Sequence, residues 1–162
     1  MGNCYSLKNV NEINNDSFKK FSLNGIYTQC KILSVYDGDT CTVGFLWKNE
    51  LYSTKVRMLG YDSPEMKPPK AQENREQEIE AAKKAKQFLI DNTEGKTLYV
   101  KFGEFDKYGR PLATIYIHNR NMCCCMPMSI GEEIINVNQL MISSGHGYEY
   151  NGGTKKLFNI IT

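Results

Sequence analysis

No apolar run in this 162-residue chain approaches the length needed to cross a bilayer, and no apolar stretch near its start resembles a secretory signal. An intracellular protein is therefore expected. Net charge is nearly absent as well. The formal value is +2, so any attraction for nucleic acid must be local rather than a global basic field. There is no internal repeat and no alternation of strand with helix that would make a parallel sheet. Six cysteines could suggest a disulfide framework, but Cys123, Cys124 and Cys125 are adjacent and no export signal accompanies them. Free thiols in a reducing compartment are expected. Three consecutive side chains cannot easily converge on one ion, so packing rather than a thiolate metal site is expected there.

What is present is enough chain for one domain with a real core. The first residues, Met1-Gly2-Asn3-Cys4-Tyr5-Ser6, fit an N-myristoylation pattern at Gly2, with Cys4 as a palmitoylation candidate. Two acyl chains would hold the protein on a membrane surface, at the cytoplasmic face, and one alone would do so only marginally. The competing expectation is an unmodified terminus. Residues 1–23 read as a polar leader, and the globular part is expected to start near Asn24-Gly25 and run to residue 162.

Residues 26–36 read as a strand with Ile26, Cys30 and Ile32 on one face. Residues 40–47 alternate cleanly, Cys41, Val43, Phe45 and Trp47 on one side. Lys48-Asn49-Glu50 is a turn, and residues 51–61 return as a third strand. Pro64, Pro68 and Pro69 then stop regular pairing. Residues 72–91 carry a helical stripe of Ile79, Ala82, Ala85 and Leu89, with Glu80 and Lys84 as an i,i+4 pair. Residues 97–103 and 111–118 are strands four and five. Met122 to Met126 could extend a hairpin after an Asn119-Arg120-Asn121 turn. A short helix is expected at 137–143 with Gly145 as its stop, and Leu157 to Ile161 form an apolar tail. Five short strands with a helix between the third and fourth match the order of an OB-fold, a small β-barrel with two or three helices (α+β).

The chemistry lies in three pieces. Asp37-Gly38-Asp39 follows the first strand. Val56-Arg57-Met58-Leu59-Gly60-Tyr61-Asp62-Ser63-Pro64-Glu65 ends the third, and Asp106-Lys107-Tyr108-Gly109-Arg110 precedes the fifth. Each alone is usually a solvated turn or a snorkelling arginine. Together they match phosphodiester hydrolysis, which needs charge neutralised on phosphoryl oxygens and water activated. Asp39 and Asp62 at close range would need a cation between them. Calcium suits an irregular oxygen site, although magnesium or manganese could occupy the same oxygens. The Ser63 backbone carbonyl is a third candidate ligand, and Glu65 a candidate general base. Arg57 and Arg110 offer planar donor forks that fit phosphate oxygens.

These segments resemble the staphylococcal nuclease (thermonuclease) family: Val35-Tyr36-Asp37-Gly38-Asp39-Thr40, the Val56–Glu65 stretch, and Phe105-Asp106-Lys107-Tyr108-Gly109-Arg110-Pro111-Leu112-Ala113, with a weaker match from Asn138 to Tyr150. The resemblance covers roughly residues 26–150. It implies calcium-dependent cleavage of DNA and RNA, single strands preferred, at the 5′ P–O bond to leave 3′-phosphates. It implies that Asp39, Asp62 and Ser63 hold the metal, with Asp37 in an outer position. Glu65 would be the base, and Arg57 and Arg110 the phosphate clamps. Lys107, Tyr108, Tyr148 and Tyr150 would fall at the nucleotide pocket, with packing at the barrel edge nearly as good a reading of Tyr150. A monomer is expected. Ser63 stands where the family has Thr, and only residues 154–162 remain of its long third helix.

Two rivals fail on residues. An Asp-x-Asp-x-Thr phosphotransfer loop would need Thr at position 41, which is Cys. An EF-hand would need a ligand and Gly where Cys41 and Thr42 stand. A non-catalytic OB module that binds nucleic acid or a partner remains the alternative of a different class.

Overall fold

The computed structural model describes Asn14, Asp16 and residues 18–120 and 132–153. Three strands come first: β1 (Tyr27–Asp37), β2 (Thr40–Trp47) and β3 (Glu50–Met58). Their alternation drives the pairing, because Cys41, Val43 and Phe45 of β2 and Val56 and Met58 of β3 all point into the core. The β2–β3 hairpin closes through Lys48 and Asn49, both at positive φ (49° and 68°), in register with Trp47 opposite Glu50. Two central residues of that hand match the twist of the flanking strands. Register shifts in β1 at Ile32/Ser34 and Val35/Asp37 let this long strand bend around the barrel.

After β3 the chain makes the two-residue β4 (Tyr61–Asp62), a Pro-rich loop and helix α1 (Arg75–Thr93). Strands β5 (Leu98–Phe105) and β6 (Pro111–Arg120) follow. Then come β7 (Glu132–Asn136), helix α2 (Val137–Ser143) and β8 (Tyr148–Glu149). The main sheet runs β3-β2-β1-β5-β6-β7, and a parallel pairing of β3 with β6 closes it. The result is the expected OB-type barrel of five strands with two helices among the described residues. Val43, Val56, Met58, Val100, Phe102, Ile115 and Ile117 fill it.

Several local expectations are corrected. The third strand is not continuous to residue 61. It stops at Met58 and turns through Gly60 at φ 87°, before β4 pairs with β8. The fifth strand runs on to Arg120 and pairs antiparallel with β7 at 132–136, and Met122 to Met126 lie outside the described residues. The Cys123–Cys125 stretch and the tail from Leu157 lie outside the described residues. Leu23, grouped with the polar leader, is 4% exposed and belongs to the core, and the Phe21 ring packs edge-on against Trp47. The inward stripe of α1 is Glu78, Ala82, Ala85, Leu89 and Thr93, so a carboxylate rather than Ile79 heads it. Gly145, at φ 73°, ends α2 as expected, and Asn136 caps its start by accepting from the N–H groups of Asn138 and Gln139. Among the described residues no helix is long and apolar enough to cross a membrane.

Candidate active site

The Asp37-Gly38-Asp39-Thr40 turn joins β1 to β2, and packing as well as sequence sets its shape. The buried Tyr61 hydroxyl donates to the Gly38 carbonyl at 2.6 Å. A Cβ on Gly38 would lie 2.8 Å from the Ala85 Cβ of α1 and 2.9 Å from the Ser63 Cβ. Only glycine allows the helix and the Ser63 loop to approach the turn this closely. Asp39 then points inward. Its Oδ1 accepts from the Thr40 hydroxyl at 2.9 Å and its Oδ2 from the Ser63 main-chain N–H at 2.9 Å.

Arg57 lies directly opposite Thr40 in the β2–β3 ladder. Val56 and Met58 face the core, so strand alternation turns Arg57 to the other face. Its Nη1 meets Asp39 Oδ2 at 2.6 Å and its Nη2 meets Asp62 Oδ1 at 2.5 Å. Nη1 also donates to the Asp39 carbonyl at 3.2 Å. One guanidinium therefore spans two carboxylates, each nearly buried. Behind Asp62, the Tyr148 hydroxyl donates to Oδ2 at 2.9 Å. Burial first, and then the Asp62 charge, push this phenol well above the ordinary tyrosine range, so it stays a proton donor.

Arg110 reaches the site because β6 lies parallel to the end of β3, with Leu112 opposite Arg57. Asp106 shapes its loop. Asp106 Oδ1 accepts from the main-chain N–H groups of Tyr108 and Arg110, both at 2.9 Å, and Oδ2 takes Arg110 Nε at 2.7 Å. Burial raises the Asp106 pKa, but the Arg110 main-chain N–H, its side chain and the Tyr108 N–H outweigh this. The carboxyl ends below its usual range.

Asp37, Asp39, Arg57, Asp62, Ser63, Glu65 and Arg110 line one small polar cavity of about 190 Å³. A groove of about 640 Å³ adjoins it, sharing Arg57, Asp62, Glu65 and Arg110 and adding Lys107, Tyr108 and Tyr150. The exposed Tyr108 ring carries the Lys107 Nζ at 5.1 Å and the Arg110 guanidinium carbon at 5.4 Å from its centre. Tyr150 bonds through its hydroxyl to the Gly153 carbonyl at the groove's rim. Tyr148 does not line the groove and instead supports Asp62. Gly2 and Cys4 lie outside the described residues.

Sequence reading did not single out Thr40, Tyr61, Glu78, Asp106 or Asn138 as parts of this apparatus. Asn138 is buried. Its amide donates to the Leu59 and Ala113 carbonyls and its oxygen accepts from the Ile115 N–H, which pins the end of β3 to β6. A buried Asn at the start of a short helix is the one sequence signal that could have drawn attention to it.

Among the described residues no group of three or more His, Cys, Asp or Glu side chains is arranged to hold a metal ion. The carboxylates that line the cavity include the nearly buried Asp39 and Asp62, and no His or Cys lines it. That all-oxygen set fits a hard cation and not a soft one.

Residues 55–156 match the family model described as staphylococcal nuclease homologue. An uncharacterized protein of Methanocaldococcus jannaschii is 30% identical over 142 aligned residues, which cover 74% of this chain. The chain spans 58% of that relative's length.

Proposed function

We propose that this chain, which belongs to the staphylococcal nuclease family, is a calcium-dependent phosphodiesterase acting on DNA and RNA. Single strands are the preferred substrate, and cleavage of the 5′ P–O bond leaves 3′-phosphates. The observation that carries the reading is the sharing of one cavity by Asp39, Arg57, Asp62, Glu65 and Arg110. Carboxylates and guanidinium groups at one small polar cavity are what in-line attack on a phosphodiester requires.

Asp39, Asp62 and the Ser63 main-chain carbonyl would hold the calcium ion, with Asp37 as an outer support. When bound, the ion supplies positive charge against the phosphoryl oxygens. Glu65 takes the proton from the attacking water. Arg57 and Arg110 direct their N–H donors at the phosphoryl oxygens, where charge builds in the transition state. Tyr148 holds the Asp62 carboxylate in place through its hydroxyl. Lys107, Tyr108 and Tyr150 receive the nucleotide in the adjoining groove, with Tyr108 exposed enough to stack on a base.

The purified chain is expected to degrade single-stranded DNA with calcium and to stop when a chelator is added. Intact substrate across a range of divalent ions would instead favour an OB module that binds without cutting. The reading includes a monomer tethered to the cytoplasmic face of a membrane through acylated Gly2 and Cys4. Gly2→Ala is expected to lose membrane association in a eukaryotic cell with nuclease activity unchanged, and equal partitioning of the two forms would end that part of the proposal.

A further inference from the structure

We infer that Glu78 is a positioning residue for Glu65, a buried carboxylate on α1 that clamps the two ends of the 65–72 loop and so sets where the base stands. The inference rests on the reading of Glu65 as the base. Glu78 is 4% exposed, on the helix face where Ala82, Ala85 and Leu89 pack against the barrel. A carboxylate in such a place is costly unless donors satisfy it. Glu78 has two, and both come from the loop. Oε1 accepts the Glu65 main-chain N–H at 3.0 Å, and Oε2 accepts from the Gln72 side-chain amide.

Few main-chain bonds among the described residues define the loop. Pro68 and Pro69 carry no N–H, and the segment between β4 and α1 forms no strand or helix. Among the described residues, its main-chain bond outside regular elements runs from the Gln72 N–H to the Pro69 carbonyl, at 3.2 Å. The clamp therefore refers Glu65 to α1. The same helix presses on the metal-side turn, since Ala85 is the atom a side chain at Gly38 would strike. Glu65 and Asp39 are thereby located against one rigid element, although they lie on separate loops. A displacement of about 1 Å at a reacting group can cost about a hundredfold in rate.

The test uses the full chain and compares Glu78→Ala, Glu78→Gln, Glu65→Ala and the double variant Glu65→Ala/Glu78→Ala. In the absence of metal, amide hydrogen exchange at Glu65 is expected to quicken about tenfold or more in Glu78→Ala, with the amides of β2 and β6 unchanged. On a single-stranded oligonucleotide with calcium, kcat is expected to fall about tenfold or more while KM stays within about threefold. Glu78→Gln keeps an acceptor for the Glu65 N–H and is expected to restore most of that rate. In the Glu65→Ala background, Glu78→Ala is expected to add no further loss, because it acts through Glu65. Unaltered Glu65 exchange, or a full additional loss in the double variant, would overturn the inference. Should Glu78→Ala fail to fold, Gln72→Ala breaks the far end of the clamp and is read against Glu65→Ala in the same way. A normal rate in Glu65→Ala would be a different failure, removing the base itself from the proposed reaction.

Discussion

Asp106 Oδ2 lies 2.7 Å from both Nε and Nη2 of Arg110, so one edge of that guanidinium is already gripped before any substrate arrives. The same carboxylate receives the main-chain N–H groups of Tyr108 and Arg110 through its other oxygen. A short loop is thus folded around a single aspartate, and Arg110 is presented to the cavity with its orientation already chosen. In the proposed reaction, pre-orientation of this kind would lower the cost of ordering the group when the transition state forms.

Replacing Arg110 by lysine removes the planar fork and keeps the charge. Folding is expected to persist. The rate is expected to fall by two or more orders of magnitude, about 3 kcal/mol in activation free energy. Single-turnover cleavage of an oligonucleotide is the measurement, and a rate near that of the unaltered chain would remove Arg110 from the mechanism.

The Asp106 loop should respond to acid. Its carboxyl titrates below the ordinary aspartate range in the folded chain, so the ionised form is the one the fold favours. The stability it contributes is present in full above the unfolded value of about 3.9, and it is lost as pH falls through the lower folded value. In Asp106→Asn, the dependence of melting temperature on pH is expected to flatten in that acid window. An unchanged slope there would show that the loop's bonds do not depend on the charge.

Arg57 has a different vulnerability. It pairs with two carboxylates that are 6% and 5% exposed and offsets part of their charge. Arg57→Ala leaves both without that partner and is expected to cost about 3–5 kcal/mol, seen as a lower melting temperature. Added calcium is expected to raise the melting temperature of this variant, because an ion that binds only the folded form stabilises it. No calcium response in a variant that still folds would argue against Asp39 and Asp62 as cation ligands.

Gly147 tests the support behind the site. A Cβ there would sit 2.6 Å from the Tyr61 Cδ2 and 3.2 Å from the Asp62 carbonyl oxygen. Tyr61 is itself 1% exposed and holds the Gly38 carbonyl. Gly147→Ala is expected to destabilise the fold by about 1–3 kcal/mol, through forced movement of that ring. Denaturant titration measures it, and an unchanged midpoint would mean that the ring yields without cost.

Much of this molecule was legible along the chain. Alternation marks most of β2 and the last residues of β3, and Lys48-Asn49 is a turn by composition and by geometry alike. Of the groups that line the cavity, Asp39, Arg57, Asp62, Ser63, Glu65 and Arg110 were named from their residue types and Asp37 from the family resemblance, while Thr40 was not named. Nor was Glu78, because hydrophobic periodicity treats a carboxylate as a surface group. Its burial depends on two donors, Glu65 and Gln72, that adjoin it only after the loop folds back. The break of β3 at Met58 was missed because Leu59 and Tyr61 are still strand-forming residue types, and only the pairing of β4 with β8 shows that the strand has ended.

The order of amino acids by itself determined where strands and turns form and which chemical groups stand at their ends, since these follow from nearest neighbours and side-chain period. Only the tertiary structure decided that Arg110 stands beside Arg57. Their meeting depends on the parallel closure of β3 against β6, Arg57 opposite Leu112, and on Asn138 tying the two strands together. No local propensity encodes a contact between segments so far apart. It arises when a twisted five-stranded sheet buries its apolar face by closing on itself.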